Sequence, residues 1–172
     1  MFLNSKTIGI ITPLKKLQDK KILEQIEILS DQKAKTIIFP EKTIELTKEN
    51  KKDKLFEDQA LDLSVVFAPS KELLNRLASL LSSNSSSNSF FNQIIIALET
   101  ETIVDSTYLK LIFDLFDKKG IFFVPFGFKD KFNSDNFKES TMLISRIDLL
   151  SDTCRGALKN IQLKPLFIEG HF

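Results

Sequence analysis

Gln93-Ile94-Ile95-Ile96-Ala97-Leu98 is an apolar run of strand length, and Phe122-Phe123-Val124-Pro125 is a second one that follows after a helix-like segment. Ahead of both, residues 71–81 form a leucine-rich segment that ends in polar residues. A helix that leads into a buried strand, with another buried strand one crossover later, is typical of an open α/β sheet. Such sheets bind ligands at the carboxyl ends of their strands, so these runs indicate where a functional site would lie.

Short apolar runs of this kind recur along the chain, with helical stretches between them. They are rich in Ile, Val and Phe and are apolar at consecutive positions, which is typical of parallel strands covered on both faces. The runs are residues 7–11, 36–39, 64–68, 93–98 and 121–125. The sequence therefore predicts a three-layer Rossmann-like α/β fold, an open parallel sheet of about five strands flanked by helices.

Apolar residues at spacings of three and four predict helices over residues 14–29, 71–81, 105–119 and 138–150. Asp105 or Ser106 is expected to cap the third of these helices. We interpret residues 1–152 as one Rossmann-like domain. Residues 82–91, almost all serine and asparagine, are interpreted as a flexible loop inserted in it, and residues 153–172 as a C-terminal tail. Within that tail, residues 164–168 could form an edge strand or an extended arm.

Composition narrows the classes of function. The 172 residues are 42% apolar and 27% charged with a net charge of +1, so a polyanion would need a local basic patch. A single cysteine, Cys154, excludes an internal disulfide and a multi-cysteine metal site. No apolar run approaches the roughly 18 residues of a membrane span, and the N-terminus lacks the layout of a signal peptide. We therefore expect a cytoplasmic protein without a membrane partner.

Residues for cofactor binding or catalysis are scarce. The loops after the first two strands read Thr12-Pro13-Leu14 and Pro40-Glu41-Lys42, without the glycines of a phosphate cradle. We therefore expect no cofactor, no metal and no catalytic residue. Glu99 and Glu101, after the fourth strand, could act as a general acid or base, or could complement the dipole of the next helix.

A collinear set of short matches resembles the Smf/DprA DNA-processing family, whose core is a Rossmann-like domain related to the LOG nucleotide hydrolases. The matches are Thr47-Lys48-Glu49-Asn50, Leu74-Asn75-Arg76-Leu77-Ala78, Asp105-Ser106-Thr107 and Phe122-Phe123-Val124-Pro125-Phe126-Gly127. Their order and rough spacing hold over about residues 36–150.

This resemblance implies a protein that binds single-stranded DNA without catalysis and assists a RecA-type recombinase in recombination or DNA uptake, and it makes a homodimer plausible. The implied phosphate contacts lie at the carboxyl edge of the sheet and in the nearby lysine cluster. They are Asn75, Arg76, Ser106, Thr107, Lys48, Asn50, Lys51 and Lys52. Phe90 and Phe91 are the candidates for base stacking.

Two other classes of function stay open. One is a LOG-like hydrolase that cleaves the base from a nucleoside monophosphate, with Glu99 or Glu101 as its acid. The other is a degenerate interaction module, without catalysis, whose flat apolar surface pairs with another chain.

Overall fold

A computed structural model describes residues 3–41, 61–82, 93–100, 105–132 and 138–168. The strands within these residues are β1 (Thr7–Thr12), β2 (Lys35–Pro40), β3 (Leu63–Phe67), β4 (Ile94–Ala97), β5 (Ile121–Phe123), β6 (Phe126–Phe132) and β7 (Lys138–Ser145). The α-helices are α1 (Lys20–Asp31), α2 (Lys71–Ser82), α3 (Ser106–Phe116) and α4 (Leu150–Ala157). Short 3-10 helices precede α1 at Leu14–Lys16 and α4 at Ile147–Leu149.

The central sheet confirms the predicted fold class. Its five strands are parallel, in the order β2-β1-β3-β4-β5. Each of the apolar runs predicted as strands falls on one of them, because residues covered on both faces must be apolar at consecutive positions. The order reverses between β1 and β3, so this is the switch point at which sheets of this kind open a crevice for ligands.

Helices cover both faces of the sheet, as a three-layer fold requires. One core contains Ile22 and Leu29 of α1 together with Leu150, Cys154 and Ala157 of α4, packed on the sheet. The other face carries Leu73, Leu74 and Leu77 of α2 and the buried face of α3, and the two helices contact each other. We call these the α1 face and the α2 face.

A second sheet replaces the helix predicted over residues 138–150, and that prediction was wrong. Residues 138–145 form β7, which pairs antiparallel with β6. The apolar positions Met142, Leu143, Ile147 and Leu150 happen to fit helical spacing. Leu143 and Ser145 are nevertheless buried while Met142 and Ile144 are only half-buried, which is the alternation of a strand.

The C-terminal residues belong to the same packed unit as the sheet. Helix α4 runs across residue 152, where the sequence suggested the domain would end, and it is one wall of the α1-face core. Beyond α4 the chain forms an extended arm over residues 161–168. The arm is fixed to β6 by hydrogen bonds from Phe126 N to Leu166 O (3.0 Å) and from Ile168 N to Phe126 O (2.8 Å).

The serine-rich loop predicted at residues 82–91 lies outside the described residues, apart from Ser82 at the end of α2. None of the described helices combines the length and the apolar character that crossing a bilayer demands.

Candidate functional site

A cavity of about 390 Å³ opens at the carboxyl edge of the central sheet, on the α1 face. Four segments line it: the start of α1, the ends of β3 and β4, and the end of β7 with the turn that follows. These are residues 19–22, 67–68, 97–99, 144–145 and 147. The volume lies within the range of about 300–1,000 Å³ that is usual for small-molecule sites. We call it the edge cavity.

The floor of the edge cavity is formed by the last residues of adjacent strands. Phe67 and Ala97 are register partners at the ends of β3 and β4, and both belong to the α1-face core. Thr12 ends β1 and, two residues after Ile10, points to that same face. Its hydroxyl is fully buried and has no hydrogen-bond partner among the described residues. A buried hydroxyl without a partner costs free energy, so this group at the end of β1 is an exception among buried polar groups.

Ala68 holds the turn between β3 and α2 in a left-handed conformation, with φ at 44°. For a residue with a Cβ this conformation costs about 1–2 kcal/mol. Ala68 N donates to Ala97 O at 2.8 Å, which fixes the turn against β4. Strain of this kind collects at binding sites, and Ala68 lines the edge cavity.

Ser145 connects the wall of the edge cavity to the sheet. Its hydroxyl accepts a hydrogen bond from Leu98 N at 2.8 Å and donates one to Val124 O at 3.3 Å, while Ser145 N donates to Leu98 O at 2.8 Å. One residue of β7 thus satisfies buried backbone groups beyond the ends of β4 and β5, which places the β6–β7 sheet next to the cavity.

Charged groups around the edge cavity are partly paired. Glu99 accepts a hydrogen bond from Lys16 Nζ at 2.9 Å, and Lys16 is 14% exposed. The carboxylate of Asp19 accepts from Lys21 N at 2.9 Å and so caps α1. The side chains of Lys20 and Lys21 are exposed. The cavity therefore combines apolar walls with two lysine cations, Lys20 and Lys21, and with two carboxylates, Asp19 and Glu99, that already accept hydrogen bonds.

A polar cluster on the α2 face joins the first turns of α2 and α3. Asp105 caps α3 by accepting from Tyr108 N at 2.7 Å, and Lys71 Nζ lies 3.1 Å from its other oxygen. The hydroxyl of Thr107 hydrogen-bonds both Asp105 and Lys71. Hydrogen bonds from Thr107, Tyr108 N and Lys71 lower the pKa of Asp105 to about 2. The cluster crosslinks two helices and confirms the predicted cap at Asp105.

The two helix starts next to the switch point each have a side chain that accepts from one backbone N–H, which leaves fewer donors there for a phosphate. In flavodoxin, which has this strand order, FMN binds between β1 and β3, and phosphates favour uncapped helix N-termini. Here the carboxylate of Asp19 occupies the start of α1, and the hydroxyl of Ser70 accepts from Leu73 N at the start of α2. Pro13 also removes one backbone donor from the first loop.

Of the residues proposed to contact phosphate, the structure describes Asn75, Arg76, Ser106 and Thr107. Arg76 lies in the second turn of α2, is 17% exposed and pairs with Glu72 at 3.2 Å, while Asn75 is exposed beside it. Ser106 and Thr107 are at the start of α3, where Thr107 belongs to the polar cluster on the α2 face. The lysine cluster with Lys48, Asn50, Lys51 and Lys52 lies outside the described residues, as do Glu101, Phe90 and Phe91. Within the described part of the chain, no group of three acidic, histidine or cysteine side chains is placed to hold a metal.

Sequence reasoning missed Lys20, Lys21, Ala68 and Ser145, which line the edge cavity. The position of the two lysines at a helix start could have been predicted, because Asp19 directly before them is a favourable N-cap residue and marks the start of α1. For Ser145 there was no such signal, because its partners Leu98 and Val124 are distant in sequence.

Comparisons with known proteins give a consistent result. A 57-residue segment is 37% identical to the B subunit of dipicolinate synthase from Bacillus subtilis (strain 168), covering 33% of this chain and 26% of that protein. The match thus spans about a quarter of the relative's length. The crystal structure of the B subunit of dipicolinate synthase from Bacillus halodurans superimposes over all of both chains with a TM-score of 0.71 and 18% sequence identity. No protein-family model matches the chain.

These findings overturn the resemblance to the Smf/DprA family and, with it, the predicted roles in single-stranded DNA binding, recombination and DNA uptake. The LOG-like hydrolase has no support either. The error has a physical cause, because strands, caps and polar residues in this order are shared by many open α/β sheets. Sequence identity distributed over one segment distinguishes relatives more sharply than scattered short matches do.

Proposed function

We propose that this chain acts as the small-molecule-binding component of a dipicolinate-synthase-type enzyme, together with a companion subunit. The observation that carries the proposal is the 57-residue match, at 37% identity, to the B subunit of a dipicolinate synthase. The fold similarity to another dipicolinate synthase B subunit, which extends over the full length of both chains, is consistent with this role.

The edge cavity supports the proposal by its chemistry. Dipicolinate is a planar pyridine ring with two carboxylates, so a site for it, or for the dicarboxylate from which it is made, needs apolar walls and nearby cations. Phe67, Leu98 and Ile147 contribute apolar surface, and the exposed Lys20 and Lys21 contribute positive charge. We assign dipicolinate or its precursor to this cavity.

Calorimetric titration with dipicolinate tests this function. We expect saturable binding with a Kd below about 1 mM, which corresponds to roughly 4 kcal/mol. The double variant Lys20→Gln/Lys21→Gln should bind about tenfold more weakly, because each change removes one cation from the cavity. Lys35→Gln is the matched control, since Lys35 is an exposed lysine at the start of β2, on the opposite edge of the sheet.

The outcome that contradicts the proposal is equally direct. If dipicolinate shows no saturation at millimolar concentrations, or if the double variant and Lys35→Gln bind it equally well, the edge cavity is not its site.

A further inference from the structure

A second cavity, of about 410 Å³, lies between α4 and the extended arm of residues 161–168, apart from the edge cavity. We call it the C-terminal cleft. Its lining includes Pro125, in the link between β5 and β6, and its two walls are α4 and the arm. It shares no lining residue with the edge cavity.

The cleft is held in shape by hydrogen bonds on the arm side. The side-chain amide of Gln162 accepts from Phe123 N and donates to Phe123 O, both at 2.8 Å, so it pairs with β5 as a neighbouring strand would. At the other end of the arm, Leu166 and Ile168 are bonded to Phe126. These contacts anchor the arm on both sides of the cleft, so the space is part of the fold.

The α4 side is fixed as well. Arg155 donates to Asp152 at 3.1 Å and to Gln32 at 2.9 Å, and Gln32 in turn donates to Ser151 at 2.8 Å. This network links α4 to the end of α1 and holds the guanidinium in place. The hydrogen bonds to Asp152 and Gln32 each use one N–H of a different terminal nitrogen of Arg155. Each of these nitrogens therefore keeps a second N–H without an acceptor among the described residues.

The charge lining the cleft is uneven. Among the described residues that line the cleft there are three cations, Arg155, Lys159 and Lys164, and one anion, Asp152. Lys164 forms no hydrogen bond or ion pair with any residue that the structure describes. The remaining lining is apolar and includes Ile161, which is 56% exposed.

From this combination we infer that the C-terminal cleft binds a small organic anion, a carboxylate with an apolar body. A planar guanidinium and an ammonium group form charge-assisted hydrogen bonds with a carboxylate. The apolar lining provides surface for the rest of the molecule, and the volume suits a small molecule better than a protein segment. Binding in the cleft does not depend on the function proposed for the edge cavity.

Residue-resolved NMR with phthalate tests the inference, because amide shifts report which cavity is occupied. We expect saturable shifts at Arg155, Lys159 and Leu163, and weaker ones with the uncharged dimethyl ester or with inorganic phosphate, since each lacks one of the two required features. Lys164→Gln should weaken phthalate binding about fivefold and Arg155→Gln about tenfold, whereas Lys35→Gln should leave it unchanged.

Lys164→Gln keeps the experiment decisive even if the loss of Arg155 disturbs packing between α1 and α4, because Lys164 has no bond to lose among the described residues. Saturable shifts confined to residues 19–22 and 97–99, no saturable shifts, or unaltered binding in Lys164→Gln would each overturn the inference.

Discussion

Ser145→Ala removes one hydroxyl and thereby breaks two hydrogen bonds, at 2.8 Å from Leu98 N and at 3.3 Å to Val124 O. Both backbone groups are buried, with Leu98 1% and Val124 0% exposed, so water cannot replace the lost partner. A buried donor without an acceptor costs about 1–3 kcal/mol, and the longer bond to Val124 adds less. We expect the free energy of unfolding to fall by about 2 kcal/mol.

Urea unfolding followed by circular dichroism measures this loss. The midpoint should fall while the slope with urea stays constant, because the surface exposed on unfolding does not change. For a chain of this length, 2 kcal/mol corresponds to a decrease of roughly 4–8 °C in Tm. Because Ser145 also lines the edge cavity, dipicolinate should bind this variant more weakly as well.

Ser79→Ala is the matched control. Ser79 is exposed on α2, and its hydroxyl donates only to Asn75 O within its own helix, at 2.9 Å. Its replacement should change stability by less than about 0.5 kcal/mol. If the two alanine variants unfold at the same urea concentration, Ser145 does not connect the two sheets and the reasoning is refuted.

Three further outcomes are expected. Ala68→Gly should raise the free energy of unfolding by up to about 1 kcal/mol, because relief of the left-handed strain exceeds the entropy that glycine adds to the unfolded chain. The control Ala78→Gly, inside α2, should lower the free energy of unfolding by about 1 kcal/mol. Equal losses of stability for the two variants in urea unfolding would contradict this prediction. Cys154 is fully buried, and burial raises the pKa of its thiol to about 12. A thiol reagent at pH 8 should therefore label Cys154 only when urea unfolds the protein. Rapid labelling of the native protein would contradict this burial. The pKa of Asp105 lies below its ordinary value of 3.8, at about 2, so its stabilising contribution is present above pH 4 and is lost as the pH falls toward 2. Asp105→Asn keeps a helix cap, but Tm should decrease less over that pH range in the variant than in the unmodified protein. An unchanged dependence of Tm on pH would argue against the cluster with Lys71 and Thr107.

The parallel sheet was predictable because burial on both faces leaves a local mark, runs of consecutive apolar residues such as 94–97. Strand β7 was not, because its burial depends on contacts far away in sequence. Leu143 N donates to Thr100 Oγ1 at 2.8 Å, and Ser145 bonds Leu98. Those pairings override an apolar spacing that is compatible with a helix.

The location of the candidate site could be predicted from the sequence, but the residues that line it could not. The carboxyl edge of the sheet follows from strand direction, and the edge cavity is there. Its residues come from four separated segments, and nothing in the sequence indicates that Lys21 and Ser145 line one space. Arg76 was predicted to contact phosphate through a family resemblance, yet its guanidinium pairs with Glu72 on the same helix.

A crystal structure of this chain grown with millimolar dipicolinate tests the central claim most directly. We predict that the ring lies within the edge cavity, between Phe67 and Ile147, with its carboxylates toward Lys20 and Lys21. Dipicolinate bound at another surface, or a cavity unchanged by its presence, would contradict this prediction.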